Sequence, residues 1–150
     1  MIHRLYRQQI VKASLDEVWA YFATPQNLNE MTPDDMKFEI IHGGDGKMFQ
    51  GQLIEYRVGF MPLVKSRWLT KIAHVEEGSY FVDEQRIGPY RFWYHEHRFE
   101  AVAGGTQITD QVSYVMPFGF LGDIVHSVWV GRRLKGIFDF RTVKVKELFG

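Results

Sequence analysis

The 150-residue sequence contains no cysteine, has no excess of charge of either sign and has no long apolar run. Without cysteine there is no disulfide framework, thiol nucleophile or cysteinyl zinc site, and the composition fits a reducing compartment. Lysine plus arginine equals aspartate plus glutamate, at 18 each, so no overall field attracts nucleic acid. No segment approaches the roughly 20 apolar residues of a membrane span, and the first residues do not look like a signal peptide. We therefore expect one domain, residues 1–150, that is cytoplasmic and has no membrane span and no nucleic-acid partner.

Aromatic residues are abundant, with twelve Phe, seven Tyr and four Trp. Large aromatic side chains fill hydrophobic cores, and they also line cavities that bind small molecules. Composition alone leaves both uses open.

The first part of the chain predicts a strand followed by two short helices. Residues 3–12 are strand-like, and Ser14 with Glu17 forms a capping box that starts a helix near Leu15. Pro25 ends this helix, and the segment PQNLNEM predicts the second one.

Between Met36 and Met116 the apolar residues alternate, which is typical of strands. Turn signals divide this region into about six strands; they lie at Asp45-Gly46, residues 59–62, Glu77-Gly78, Gly88-Pro89 and Gly104-Gly105. The segment HGGDGKMFQG predicts a hairpin with a type I′ turn at Asp45-Gly46, and it lacks the Lys-Ser/Thr ending of a phosphate-binding loop. Connections this short favour an antiparallel meander.

Residues from about 121 to 148 predict one long helix. Its apolar stripe consists of Val130, Leu134, Ile137, Phe138, Val145 and Leu148. A large sheet must bury one face, and only this helix is long enough to cover it. The predicted fold is α+β, with a curved antiparallel sheet of about seven strands around a long C-terminal helix and a space between them.

The stretch WYHEHRF carries two histidines, His95 and His97, on one face of a predicted strand. A two-residue turn at Gly104-Gly105 would pair Ala101 with Ile108, Phe99 with Asp110, His97 with Val112, His95 with Tyr114 and Trp93 with Met116. These residues form the more apolar face, so we predict that it points inward. The strand before it adds Asp83 and Gln85 as further candidates.

A buried carboxylate is costly without a partner, so Asp110 should have one. The candidates are His97, His95 and Arg141, the last lying beside the apolar stripe of the final helix. Four roles remain open for the histidines: metal ligands, acid–base catalysts, polar lining of a ligand cavity, or members of a satisfied interior network. No third metal ligand lies at a diagnostic spacing, so we predict no metal and no other cofactor. The role we favour is polar lining that orients a ligand.

The last helix is basic, which raises the question of an anionic membrane or nucleic acid as partner. Its cations are Arg132, Arg133, Lys135, Arg141, Lys144 and Lys146, interleaved with Asp139 and Glu147. Because this helix is needed to close the fold, we predict a solvated basic face instead.

The start of the chain, VKASLDEVWAYFATPQNLNEMTP, and the order of its elements resemble the START/Bet v1-like superfamily, also called the SRPBCC or polyketide cyclase/dehydrase-like group. The motifs Asp-x-Gln-x-x-Gly-Pro, Trp-x-His-x-His-x-Phe and Gly-Thr-x-x-x-Asp are similar to those of a bacterial ligand-binding branch. They fall on Asp83, Gln85, Gly88, Pro89, Trp93, His95, His97, Phe99, Gly105, Thr106 and Asp110, with Phe138 and Arg141 in the helix. The resemblance implies a helix-grip fold with a deep cavity. Members of the superfamily bind lipids, sterols, hormones or polyketides there, and some catalyse cyclisation or hydrolysis.

The resulting prediction is the binding of a small, largely hydrophobic ligand that is lipid-, polyketide- or aromatic-like. The predicted ligand-binding residues are Trp93, His95, His97, Phe99, Asp110, Tyr114, Asp83, Gln85, Phe138 and Arg141. The alternative is a cyclase-, dehydratase- or hydrolase-type enzyme that uses His95, His97 and Asp110 as general acid and base. Trp129 is suited to a homodimer contact or to a cavity wall, so the oligomeric state stays open.

Overall fold

A computed structural model describes residues 1–61 and 64–150 of the chain. Its strands are β1 (Ile2–Val11), β2 (Glu39–His42), β3 (Leu53–Met61), β4 (Val64–Glu76), β5 (Tyr80–Ile87), β6 (Phe92–Val102) and β7 (Gly105–Val115). Its helices are α1 (Leu15–Phe22), two 3-10 turns (Pro25–Leu28 and Asp34–Met36), α2 (Gly119–Val125), a π turn (His126–Val130) and α3 (Gly131–Phe149). The predicted break at residues 59–62 includes Pro62, which lies outside the described residues.

Helix α1 begins where the capping box predicts. The Ser14 side chain accepts a hydrogen bond from the Glu17 amide at 3.3 Å, which satisfies one of the free amides of the first turn. The Val18, Trp19 and Phe22 side chains of this helix are buried and pack against the sheet.

The seven strands of the described chain form one antiparallel sheet in the order β1-β7-β6-β5-β4-β3-β2. This confirms the meander from β2 to β7, with β1 added beside β7. The final helix lies across the inner face of the sheet, so the architecture is the predicted helix grip.

The predicted register of β6 against β7 is wrong by two residues. The turn is Ala103-Gly104, and the observed pairs are Val102 with Gly105, Ala101 with Thr106, Phe99 with Ile108, His97 with Asp110, His95 with Val112 and Trp93 with Tyr114. Gly105 lies within β7, and the position requires glycine because a Cβ atom there would sit 1.8 Å from the Val11 carbonyl oxygen of β1. A shift of two residues leaves every side chain on its original face, so polarity could not reveal the error.

The predicted type I′ turn at Asp45-Gly46 is also wrong, although β2 and β3 do pair. Residues 43–52 form a longer connection between the two strands. It is held to α1 by the Met48 amide, which donates to the Ala23 carbonyl at 2.8 Å, and internally by the Gln52 side chain, which donates to the Gly43 carbonyl at 2.7 Å. These tertiary contacts favour the longer connection over a two-residue turn.

The long C-terminal helix is confirmed, with one π turn between α2 and α3. Five residues of its predicted stripe are buried: Val130, Leu134, Ile137, Phe138 and Val145. Leu148 is exposed, contrary to the prediction. Trp129 is half-buried and packs on the core around Trp68. No helix among the described residues is long and apolar enough to cross a membrane.

Two hydrophobic clusters fill the interior. The first packs α1 against the sheet and includes Trp19, Phe22 and Phe99. The second packs α3 against the sheet and includes Trp68, Trp93 and Phe138. The candidate site described next borders both clusters.

Candidate functional site

A cavity of about 160 Å³ lies between the sheet and α3. Its wall is mostly apolar and aromatic, with contributions from α1, the 3-10 turns, strands β2 to β6 and α3. An apolar cavity of about 150 Å³ is large enough for benzene, so the space suits a small ring or a short branched chain. The polar groups in its wall belong to a few side chains: Thr24, Thr32, Tyr56, Thr70, Asp83, His95, His97 and Arg141, together with the indole groups of Trp68 and Trp93 and the phenol of Tyr90.

Three neighbouring strands bring two histidines and two aspartates together in the interior. On β6, His95 lies opposite Asp83 of β5, and His97 lies opposite Asp110 of β7. His95 Nε2 is 2.7 Å from Asp110 Oδ1, and His97 Nε2 is 2.6 Å from Asp83 Oδ2. The two imidazoles stack with their centroids 3.6 Å apart. We call these four residues the His/Asp cluster.

The remaining ring nitrogens of the cluster also face carboxylates. His95 Nδ1 lies 3.6 Å from Asp83 Oδ2, and His97 Nδ1 lies 3.2 Å from Asp110 Oδ1. Each imidazole therefore lies between the same two carboxylates and makes one hydrogen bond to them, while His97 Nδ1 has no hydrogen-bond partner among the described residues. Such a closed arrangement fixes both rings, because rotation of either ring would break contacts at both ends.

The protonation of the cluster follows from burial and from these contacts. Burial alone would raise the pKa of Asp110, but the hydrogen bond from His95 and the close contact with His97 outweigh it and hold this pKa well below its usual range. Burial would likewise raise the pKa of Asp83, but the charge of His95 and the hydrogen bond from His97 lower it. Both carboxylates are therefore ionised at neutral pH.

The two imidazoles differ in proton affinity. Burial and the neighbouring charge of His97 lower the pKa of His95. Burial would also lower the pKa of His97, but its close contacts with Asp110 and Asp83 raise it above the ordinary value. A proton on His97 is therefore held more tightly than a proton on His95.

Aromatic side chains keep the cluster in place. Phe81 stacks on the His97 ring with centroids 4.1 Å apart, and the Trp93 indole N–H donates to Asp83 Oδ1 at 3.2 Å. The ring centroid of Phe138 in α3 lies 5.5 Å from the ring centroid of His95. These contacts leave Asp83, His95 and His97 at the cavity wall, with Asp110 on their far side.

Arg141 of α3 also lines the cavity, away from the predicted pairing with Asp110. Its guanidinium carbon lies 4.9 Å from the centre of the Phe138 ring, which is a cation–π contact. The buried Nε of Arg141 has no hydrogen-bond partner among the described residues. Asp110 is instead satisfied by the two histidines, so Arg141 is left with donors for another group.

The predicted site residues divide into two sets. The residues that line the cavity are Trp93, His95, His97, Asp83, Phe138 and Arg141. Four do not line it. Asp110 lies behind the histidines, and Phe99 packs in the core against Trp19. The Tyr114 hydroxyl is hydrogen-bonded to His126, and the Gln85 side chain is hydrogen-bonded to both the amide and the carbonyl of Tyr90. The Gln85 amide therefore supports the turn between β5 and β6.

Sequence reasoning missed the polar groups that β3 and β4 contribute to the wall. The Tyr56 hydroxyl and Thr70 Oγ1 share a hydrogen bond of 3.1 Å, and burial raises the pKa of Tyr56. The Trp68 indole nitrogen is buried and has no hydrogen-bond partner among the described residues. Alternation within the two strands puts Tyr56, Trp68 and Thr70 on one face, and that signal could have identified them.

The curved sheet, the long helix and the cavity between them define a helix-grip protein of the Bet v1-like class. Residues 11–136 match the family described as polyketide cyclase/dehydrase and lipid transport, and the chain belongs to that family. No curated protein matches the chain.

Solved structures of similar fold come from bacteria and plants. Protein CV1439 from Chromobacterium violaceum is 11% identical with a TM-score of 0.74, covering 98% of this chain and 97% of that one. The protein TTHA0849 from Thermus thermophilus is 11% identical with a TM-score of 0.71, covering 97% and 95%. Ginseng major latex-like protein 151 from Panax ginseng is 13% identical with a TM-score of 0.71, covering 100% and 99%. At these identities the likeness establishes the fold alone.

Proposed function

We propose that this protein binds a small, largely apolar molecule in the cavity between the sheet and α3. The observation that carries the proposal is the cavity itself, a space of about 160 Å³ with a mostly apolar wall and a few convergent polar groups. Sites for small organic molecules have this composition, because the apolar wall supplies affinity and the polar groups fix orientation.

The polar groups favour a ligand with an oxygen-bearing end. On one side, the His/Asp cluster offers imidazole and carboxylate groups that donate and accept hydrogen bonds. Arg141 adds a guanidinium whose Nε has no hydrogen-bond partner among the described residues. A phenol, enol or carboxylate on an aromatic or polyketide-like body would meet both requirements.

The test compares two leucine-to-tryptophan variants. Leu28 is half-buried at the cavity wall, so Leu28→Trp places an indole in the space. Leu53 is 53% exposed and does not line the cavity, so Leu53→Trp is the matched control. Binding of the fluorescent dye 1-anilinonaphthalene-8-sulfonate should weaken about tenfold or more in the first variant only, which corresponds to about 1.4 kcal/mol.

Native mass spectrometry of the purified protein, before and after denaturation, complements this comparison. A co-purifying organic mass that is lost in Leu28→Trp and kept in Leu53→Trp would identify the ligand and assign it to the cavity. Equal dye binding in both variants, without any co-purifying mass, would contradict the proposal.

An enzyme of the cyclase, dehydratase or hydrolase type is a second candidate. The observation that favours it is the 2.6 Å contact between His97 Nε2 and Asp83 Oδ2 at the cavity wall, since such a pair can take up and release a proton. A ligand recovered from the protein would be incubated with wild type and with His97→Ala. Turnover by wild type alone, with binding retained in the variant, would favour catalysis over simple binding.

A further inference from the structure

We propose that Asp83, His95 and His97 form a binding site for one divalent transition-metal ion, such as zinc or iron(II), in the cavity wall. This inference goes beyond the proposed binding function, and it revises the expectation of no metal that spacing alone supports. Among the described residues, one nitrogen from each histidine and one oxygen of Asp83 lie within 4.8 Å of one another. The third ligand that the sequence does not reveal comes from the neighbouring strand β5.

The donor set suits such ions. Two imidazoles and one carboxylate are a common set for zinc and for iron(II), whereas calcium and magnesium prefer oxygen ligands throughout. Ligand atoms about 2.1 Å from a shared ion lie roughly 3.0–3.4 Å from each other. The observed contacts from Asp83 Oδ2 are 2.6 Å to His97 Nε2 and 3.6 Å to His95 Nδ1, which bracket this range, and all three ligand atoms lie within 4.8 Å of one another.

Asp110 provides the support that metal-binding histidines need. Its Oδ1 lies 2.7 Å from His95 Nε2 and 3.2 Å from His97 Nδ1, which are the ring nitrogens away from Asp83. His95 Nε2 is hydrogen-bonded to Asp110, whereas His97 Nδ1 is near it without a hydrogen bond and would have to reorient slightly to donate. With both nitrogens donating to Asp110, the opposite nitrogens would present lone pairs toward Asp83. A carboxylate that holds the far nitrogen of a ligating histidine fixes its tautomer and orientation. Here Asp110 does so for His95 and lies within reach of the corresponding nitrogen of His97.

Charge balance supports the same assignment. With both imidazoles neutral, the two carboxylates leave a charge of minus two in the interior, where all four residues are largely buried. Buried charge is costly unless it is compensated, and one divalent cation would neutralise it completely. The metal would replace the proton that otherwise lies between His97 and Asp83.

The position of the site has a chemical consequence. Asp83, His95 and His97 all line the cavity, while Asp110 does not. Three protein ligands leave coordination positions open on the cavity side, as in metal sites that bind an exchangeable group. An oxygen of the bound organic molecule could occupy one of them, which would explain why an ionic cluster borders an apolar space.

The experiment uses the full chain after chelator treatment and dialysis, titrated with Zn²⁺ by calorimetry and with Co²⁺ by visible absorption. We expect one ion per chain. His97→Gln and Asp83→Asn should each weaken Zn²⁺ binding by about 100-fold or more, because each removes a ligand. Asp110→Asn should weaken it by about 10- to 100-fold while a Co²⁺ spectrum remains, since it orients ligands without binding the ion.

The matched control is His126→Gln, which alters the stacked pair of His3 and His126 and should leave Zn²⁺ affinity within about twofold. Absence of stoichiometric binding in wild type would overturn the proposal, as would equal affinity in all four variants. If circular dichroism shows that a variant is unfolded, paramagnetic broadening of the wild-type amide NMR signals by Co²⁺ locates the bound ion instead. Broadening centred on residues 83, 95 and 97 supports the site, and broadening centred elsewhere refutes it. Because the metal alone is used, failure here would leave the cavity-binding proposal standing.

Discussion

Among the described residues, two pairs of histidines stack, and they differ in what surrounds them. His95 and His97 stack at 3.6 Å, and so do His3 and His126, where β1 meets the π turn. The first pair is buried between two carboxylates, Asp83 and Asp110. The second is partly exposed and has one carboxylate, Asp123, which lies 2.8 Å from His3 Nε2. The same ring contact therefore serves two different electrostatic environments.

Burial and the number of carboxylates decide the difference. At the partly exposed pair, burial and the charge of His3 lower the pKa of His126, and Tyr114 completes its hydrogen bonding. At the buried pair, two carboxylates overcome burial and raise the pKa of His97. Stacking alone does not fix the protonation of an imidazole, since within one stacked pair the pKa of His97 is raised by its carboxylate contacts while burial and the charge of His97 lower the pKa of His95.

The largest expected effect tests the dependence of the buried pair on its carboxylate. Asp110→Asn keeps the shape of the side chain but removes a charge that both histidines contact. We expect a loss of about 3 kcal/mol in the free energy of unfolding, because the buried hydrogen bond from His95 and the contact with His97 lose their charged acceptor. Urea denaturation at pH 7 with chelator present measures it.

The control for this variant is Asp123→Asn at the second pair, whose side chain is 26% exposed. Water can replace its contacts, so the loss of stability should be much smaller. Equal losses in the two variants would contradict the claim that burial distinguishes the pairs.

The second effect is the opposite response of two imidazoles to pH. In metal-free protein, His97 should keep its proton above about pH 6.5, and His126 should lose it below that value. The raised pKa of His97 stabilises the fold fully below about pH 6.5, and this contribution is lost as the pH rises through the raised value. The lowered pKa of His126 has the reverse sign, so stability falls as the pH drops below about 6.5.

Nitrogen–proton correlation spectra of the imidazoles, recorded from about pH 5 to pH 8, would resolve the two titrations. The variants His97→Gln and His126→Gln assign the signals by removing one each. A midpoint for His126 above that of His97 would reverse the comparison.

The smallest expected effect concerns the phenol at the second pair. Tyr114→Phe removes the hydrogen bond between its hydroxyl and His126 Nε2. We expect the free energy of unfolding to fall by about 1 kcal/mol, because half-buried His126 can form a hydrogen bond with water instead. Thermal unfolding would measure it against Tyr6→Phe, a substitution at a tyrosine that is 56% exposed. A loss of several kcal/mol would show that the second pair depends on its partner as strongly as the first.

Much of the fold follows from local signals in the chain. The capping box at Ser14 starts α1, alternation marks the strands, and the apolar stripe with Leu134 and Phe138 identifies the helix that covers the sheet. These patterns are reliable because each depends on neighbours close in sequence. The turn predicted at Asp45-Gly46 was wrong because contacts with α1, distant in sequence, hold that connection.

The candidate site was predicted only in part. The inward direction of His95, His97 and Asp110 follows from alternation, and all three are buried. Tyr114 and Gln85 share faces with cavity residues, but their side chains form hydrogen bonds outside the cavity, to His126 and to the Tyr90 backbone respectively. A face assignment says which way a side chain points and not which partner it meets.

Odd or even position along a strand fixes which side chains enter the interior, so this much can be read from the amino-acid order alone. Which of these side chains meet depends on how the strands pair. The close approach of β1 to Gly105 accompanies a register that puts Asp110 opposite His97, and the pairing of β5 brings Asp83 opposite His95. Register depends on turns and on contacts between distant segments, and a shift of two residues leaves every polar and apolar side chain on the same face of the sheet. The His/Asp cluster and the proposed metal site therefore exist only in the folded sheet.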